Sequence, residues 1–213
     1  MGEASCLSDD QRRALDRLSK LPIVAELYLA EGTGLSIHLS HRRSADLDFF
    51  SRTPSVDFEA IKSAVGRCFD HVQVNAETAA ALHLLCDDLP IDFVRYPYPL
   101  LDAPVEAFGV GLAGLRDLAV MKLSAISRRC LRRDFWDLFE ILDTGLALRA
   151  CGQDYVRRFG VREADLYHVL KALTYFEDAE KDPVFPAGLD EQRWRTNKAF
   201  FLSEAPKLVD APR

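Results

Sequence analysis

The sequence lacks any apolar run of membrane-spanning length, and its opening residues, MGEASCLSDDQRR, hold no apolar segment of the kind a secretory signal needs. It lacks a cysteine pattern as well. Cys6, Cys68, Cys86, Cys130 and Cys151 are odd in number and never stand as CxxC, which excludes a zinc knuckle or disulfide framework and fits a reducing compartment. His38, His71, His83 and His168 show no metal-ligand spacing to one another. Repeats and low-complexity tracts are missing too. Nor is there an excess of positive charge. A formal net charge of −6 excludes a protein that coats nucleic acid by bulk attraction, while leaving room for a local basic site. A cytoplasmic protein with no membrane partner is expected.

What remains is an ordinary globular composition, 48% hydrophobic and 28% charged over 213 residues, enough for one large or two small domains with a real core. Residues 9–20 read as a short helix with acids first and bases last, stopped by Pro22. Within IVAELYLA (23–30) the last half reads as a strand, broken by EGTG, with Thr33 as a natural N-cap for a short helix, GLSIHLS. A strand is expected over 46–50. A helix follows with apolar residues at Phe58, Ile61, Val65 and Phe69, and then strands in HVQVN, AALHLLCDD and PIDFVRYP. From Leu115 the periodicity turns helical, in LRDLAVMKLSAISRR, DFWDLFEILDTGL (ended by Gly145), EADLYHVLKALTYFEDAEKD and DEQRWRTNKAFFLSEA. The residues from 207 onward read as a frayed end. The expected fold class is α/β (α+β), a mixed sheet with flanking helices over 1–113 followed by a helical half over 114–213.

The chemistry-bearing stretch is HRRSADLDFF. Alternate residues of a strand share a face, so Asp46 and Asp48 go together while Leu47 and Phe49 point into the core. Asp92, between Ile91 and Phe93, sits in the same setting on a later strand. If the strands are neighbours, three carboxylates converge, repel, and favour a hard cation such as Mg²⁺ between them. Taken alone, the two aspartates read equally as a polar strand edge. The EGTG turn offers backbone N–H groups and the Thr33 hydroxyl to a phosphate, although such turns are commonplace.

Further on, Lys122 lies among apolar residues and reads by itself as an amphipathic-helix lysine with a snorkelling head. Arg128, Arg129, Arg132 and Arg133 form a basic cluster, either a solvated turn or a contact for nucleotide phosphates or an RNA backbone. Asp134 and Asp137 read as an N-cap and a first-turn acid. The aromatics Trp136, Phe139, Tyr167, Tyr175, Phe176, Trp194, Phe200 and Phe201 recur at helical spacing and read as core.

Together, LAEGTGLSIHLSHRRSADLDFFS and DLAVMKLSAISRRCLRRDFWDL resemble the signature of the AbiEii/AbiGii toxin family, a branch of the nucleotidyltransferase superfamily with the DNA polymerase β-like fold. The resemblance runs over about residues 25–143. It implies transfer of a nucleoside monophosphate from an NTP, with pyrophosphate released, to an acceptor, a tRNA in characterised toxins, and pairing with a separate antitoxin. Gly32 and Thr33 would form the phosphate-contacting turn, and Asp46 and Asp48 the Mg²⁺-binding pair, with Asp92 a third carboxylate. Lys122 would meet the nucleotide phosphates with Arg128 nearby, and Asp134 would be the further essential acid. One departure stands out: where the family has Gly-Gly, this chain has Glu31-Gly32. A carboxylate beside a triphosphate is repulsive, so a second expectation is a degenerate member that binds an antitoxin or RNA without catalysis. A third is a transferase acting on protein side chains or small molecules such as aminoglycosides.

Overall fold

Leu47 and Phe49, like Ile91 and Phe93, are fully buried, whereas Asp48 and Asp92 between them are half-exposed, so the period of two in the sequence sets which face meets the core. The rings of Phe49 and Phe93 stack with centroids 5.6 Å apart. Truncating either to alanine would cost about 3–5 kcal/mol. The computed structural model describes residues 6–53, 55–181 and 185–208. The chain forms two compact units, Met1–Gly114 and Leu115–Arg213.

In the first unit, helix α1 (Asp9–Leu18) starts at a capping box in which Ser8 and Gln11 satisfy each other's backbone N–H groups. A 3-10 turn (Pro22–Glu26) leads into β1 (Leu27–Leu29), α2 (Glu31–Leu39), β2 (Leu47–Ser51) and α3 (Phe58–Val65). Then come β3 (Val72–Glu77), β4 (Ala81–Cys86), β5 (Leu89–Val94), β6 (Val105–Ala107) and β7 (Val110–Leu112). They make one seven-stranded mixed sheet in the order β3-β4-β5-β2-β1-β7-β6, the mixed sheet with flanking helices expected above. β2 runs parallel to β5 and antiparallel to β1, and β1 runs parallel to β7. The β6–β7 hairpin closes through Phe108 and Gly109, both at positive φ as a type I′ turn requires.

The second unit is helical: α4 (Leu115–Arg129), α5 (Arg132–Asp143), α6 (Leu148–Phe159), α7 (Leu166–Thr174), α8 (Glu177–Lys181) and α9 (Glu191–Glu204). Phe135 is its aromatic hub, within 5.4–5.8 Å of Phe176, Trp194 and Phe201 by ring centroid. Of the aromatics expected in the core, Trp136, Trp194 and Phe201 are buried, but Tyr167 and Tyr175 are exposed. The helix expected over 163–182 is interrupted. Tyr175 is extended and ends α7, so that Phe176 can turn into the aromatic cluster. Helix α6, not anticipated, uses Leu148 and Cys151 as buried anchors. At the expected frayed end, Leu208 is buried and closes a 3-10 turn, and residues 209–213 lie outside the described residues.

Candidate active site

In the first unit Asp46 is placed by three side chains, Gln11, Thr33 and Ser44, of which the sequence predicts Thr33 in a different role, as an N-cap and phosphate contact. Gln11, almost wholly buried, donates from Nε2 to the carbonyls of Ser44 (3.0 Å) and Asp46 (3.3 Å). Thr33 donates its hydroxyl hydrogen to the same Asp46 carbonyl. Ser44 Oγ donates to Asp46 Oδ1 at 2.8 Å. Asp46 is thereby held by backbone and side chain just before β2 begins, while the Asp48 carbonyl accepts from Ala30 N–H at 3.0 Å and locks β2 to the start of α2.

β2 and β5 are neighbours, and Asp48 and Asp92 occupy paired register positions. The acids do not close into one cluster. Among the described residues no three His, Cys, Asp or Glu side chains are gathered to hold a metal ion, and Asp92 turns to His83, whose Nδ1 lies 2.9 Å from Asp92 Oδ1. The donor set still suits Mg²⁺, which dehydrates reluctantly and usually takes one or two carboxylates plus substrate phosphate oxygens.

Thr33 is not the N-cap. Helix α2 starts two residues earlier, with extended Ala30 in the capping position, and Thr33 is fully buried inside its first turn. The first bond of the helix runs from Gly34 N–H to Ala30 O, so the N–H groups of Glu31, Gly32 and Thr33 precede it. A Cβ on Gly32 would stand 2.6 Å from Ser44 Oγ and 3.0 Å from Arg42 Nη2, so only glycine fits beneath the Ser44–Asp46 contact. Glu31 holds φ +51°, the left-handed region. This conformation costs a residue with a Cβ roughly 1–2 kcal/mol, which gives a physical reason for glycine at that position. Glu31→Gly is accordingly expected to stabilise the protein by about 0.5–1 kcal/mol, the relief less the added freedom of the unfolded chain. A urea midpoint that falls instead would mean that the Glu31 side chain contributes more than its backbone strain costs.

In the second unit Lys122 does not snorkel. Its side chain is 1% exposed, and Nζ lies 3.1 Å from Asp134 Oδ1 and 3.0 Å from Asp137 Oδ2, both carboxylates being fully buried. Arg129, two turns along α4 on the same face, grips Asp134 with Nε to Oδ2 at 2.7 Å and Nη2 to Oδ1 at 2.8 Å. Asp134 lies in the first turn of α5, whose N-cap is Leu131, and Asp137 is one turn further on. Both are ion-pair partners of Lys122 rather than an N-cap and a solvated first-turn acid. Burial pushes the Asp134 carboxyl up, but Lys122 and Arg129 outweigh it and hold the group below the usual carboxylate range.

The arginine cluster divides. Arg129 serves Asp134, and Arg132 donates to the Glu180 carbonyl and lies over the Phe185 ring. Arg128 and Arg133 are exposed and, among the described residues, form no ion pair. Burial pushes the Cys86 thiol up to about 12 and that of Cys151 up to about 11, so neither supplies a thiolate at neutral pH.

Three comparisons bear on this arrangement. The family profile described as nucleotidyl transferase AbiEii toxin, type IV TA system, matches residues 82–212, which include Asp92, Lys122, Arg128 and Asp134. An uncharacterized protein of Aquifex aeolicus is 34% identical over 210 residues, covering 96% of this chain and 98% of its own. Among solved structures, MenT4, a nucleotidyltransferase toxin of Mycobacterium tuberculosis, superposes with a TM-score of 0.63 at 18% identity, over 94% of this chain and 83% of that one. JHP933 of Helicobacter pylori does so at 0.56 and 17%, over 95% and 94%. These two likenesses establish the fold, and the profile, which matches more than half of the chain, goes further: the chain belongs to the AbiEii nucleotidyl transferase toxin family of type IV toxin–antitoxin systems.

Proposed function

We propose that this nucleotidyltransferase moves a nucleoside monophosphate from an NTP to an RNA hydroxyl, a tRNA first among candidates, and that an antitoxin protein restrains it. The observation that carries the reading is the pinned acid pair: Asp46 fixed by Ser44, Thr33 and Gln11, with Asp48 two residues on beside the first turn of α2. In the reaction the acceptor oxygen attacks the α-phosphorus, the bond to the β-phosphate oxygen breaks, and pyrophosphate leaves. Asp46 and Asp48 would hold Mg²⁺, while Asp92, expected as a third carboxylate, turns to His83 instead. Such an ion, when bound, neutralises phosphate charge and favours the ionised acceptor oxygen.

The N–H groups of Gly32 and Thr33 belong to the first turn of α2, the partial positive end of the helix, where phosphate charge is favoured. The family resemblance would bring Lys122 to the nucleotide phosphates, but its ammonium group is buried between Asp134 and Asp137, and the geometry supports a structural role for it. Because Lys122 and Arg129 together carry the same charge as Asp134 and Asp137 with opposite sign, these four groups sum to zero. Surplus cation on this unit therefore comes from residues such as Arg128 and Arg133. That pair suits an RNA backbone better than a small neutral acceptor.

The test is incubation with Mg²⁺, total tRNA and each α-labelled NTP in turn, alongside Asp46→Asn/Asp48→Asn protein. Label on RNA that depends on the two acids is the expected result. Arg128→Ser/Arg133→Ser protein should label RNA more weakly, with a salt dependence shallower by roughly 0.7–0.9 per lost phosphate contact. Equal labelling at every salt concentration would remove RNA contact from these arginines. A second reading, binding without catalysis, is favoured by Glu31 in its strained turn. No label from the native protein but label from Glu31→Gly would establish it, and no label from either would direct the search to protein or small-molecule acceptors.

A further inference from the structure

Lys122 is neutralised by two buried carboxylates, so the positive charge that a departing pyrophosphate needs has to come from elsewhere. In the first unit a cation lies on the turn that opens α2. An ideal Cβ on Gly32 would stand 3.0 Å from Arg42 Nη2, so the guanidinium rests against the bare Cα of this glycine, next to Ser44 Oγ and the Asp46 carboxylate that Ser44 meets. The loop is tied to the helix at this point. The hydroxyl of Ser36, fully buried, lies 2.8 Å from the carbonyl oxygens of both Gly32 and Arg42 and shares its hydrogen between them. Arg42 Nη1 donates to the Arg43 carbonyl at 3.1 Å, which orients the guanidinium plane, and Arg42 is half-buried whereas Arg43 is exposed. An oriented fork of donors beside helix N–H groups suits a phosphate.

We propose that Arg42 is a further catalytic residue of the transfer: its guanidinium binds the NTP phosphates that become pyrophosphate. The inference rests on the reading of Asp46 and Asp48 as the cation-holding pair, and it gives Arg42 the task that the family resemblance attaches to Lys122. As the bond from the α-phosphorus breaks, its electron pair stays on the pyrophosphate oxygen, and the proton of the acceptor hydroxyl passes to water. Arg42 keeps its own proton throughout, because a guanidinium is not deprotonated in proteins, so it acts as fixed charge and donor rather than as an acid. A side chain at position 32 would push the guanidinium off the turn, a second reason, beside the Ser44 contact, for glycine there.

The probe is inorganic tripolyphosphate with Mg²⁺, which has the phosphates of an NTP without its base, titrated by calorimetry into the full chain. Arg42→Met keeps the apolar stem and removes the charge and donors. It is expected to weaken binding about 10–100-fold, the loss of a charge-assisted contact. Arg42→Lys, a point charge without the fork, should recover part of that loss. Arg43→Met should stay within a few-fold of the native protein, because Arg43 is exposed. Native tripolyphosphate affinity in Arg42→Met overturns the proposal, as does an equal loss in Arg43→Met, which would make the effect a general field of the loop. A loss that Arg42→Lys does not relieve, together with a lowered melting temperature in both variants, would also overturn it, because Arg42 would then only brace the turn. Mn²⁺ alone, with the free ion read by electron paramagnetic resonance, separates the two claims. If Asp46→Asn/Asp48→Asn protein loses Mn²⁺ while Arg42→Met binds tripolyphosphate as the native protein does, Arg42 alone is wrongly assigned. If the double variant keeps native Mn²⁺ affinity, the acid-pair reading falls and the inference falls with it.

Discussion

Lys122→Ala is expected to destabilise the protein by about 3–5 kcal/mol, the cost of leaving a buried charge uncompensated. Asp134 and Asp137 are fully buried, and Lys122 is the cation shown to bridge them. Arg129 grips Asp134 through two bonds and would still cover it, so the loss falls mainly on Asp137. A domain has only about 5–15 kcal/mol in total, so the substitution approaches the whole stability of the protein. Chemical denaturation followed by circular dichroism reads it directly. Adding Asp137→Asn to Lys122→Ala should recover much of the loss, because it removes the charge left behind. If Lys122→Ala melts like the native protein, water must reach the carboxylates and the cluster is not a dry one. One consequence concerns activity: an inactive Lys122→Ala protein would not identify a phosphate contact, because it need not be folded.

The same cluster sets an acid limit. Lys122 and Arg129 depress the Asp134 carboxyl despite its burial. A carboxyl whose folded value lies below its unfolded value of about 3.9 contributes its full stability above that pH. The contribution is lost as pH falls through the folded value. Stability of the helical unit should therefore hold down to about pH 4 and decline below it. Asp134→Asn should flatten that limb while costing stability at neutral pH.

Much of the fold was legible because it rests on local periodicities. Alternation at Leu47, Phe49, Ile91 and Phe93 announced buried strand faces, and helical spacing announced α3, α4 and α5. Asp46 and Asp48 drew attention as a pair because a spacing of two is a local relation, although β2 begins at Leu47 and Asp46 lies one residue before it. The supporting groups were not. Gln11 reaches Asp46 across 35 residues and Thr33 across 13, and no pattern along the chain marks such contacts. Asp137 had a local signal, one helical turn after Asp134, yet its role depended on which face of α5 is buried. The sequence drew attention to Arg128, whereas helical geometry delivers Arg129 to Asp134, because residues seven apart share a face and residues six apart do not. Helix α6 was obscured by arginines and a central glycine, and the left-handed backbone at Glu31 runs against the residue's own preference.

Asp48→Asn should lower nucleotide transfer by at least 10²–10³-fold while leaving the protein folded. Asp48 is half-exposed on β2, and asparagine has nearly the same size and shape, so the fold should tolerate the exchange. Asp46→Asn makes a sharper comparison. Asparagine Oδ1 can still accept the Ser44 hydroxyl that now meets Asp46 Oδ1 at 2.8 Å, and the backbone bonds from Gln11 and Thr33 do not involve the side chain. Geometry is kept and charge alone is removed. Loss of transfer at an unchanged denaturation midpoint in both variants would place the two carboxylates in the chemistry. If transfer and midpoint fall together, the acids belong to the scaffold, and Asp46-Leu47-Asp48 would be a polar strand edge.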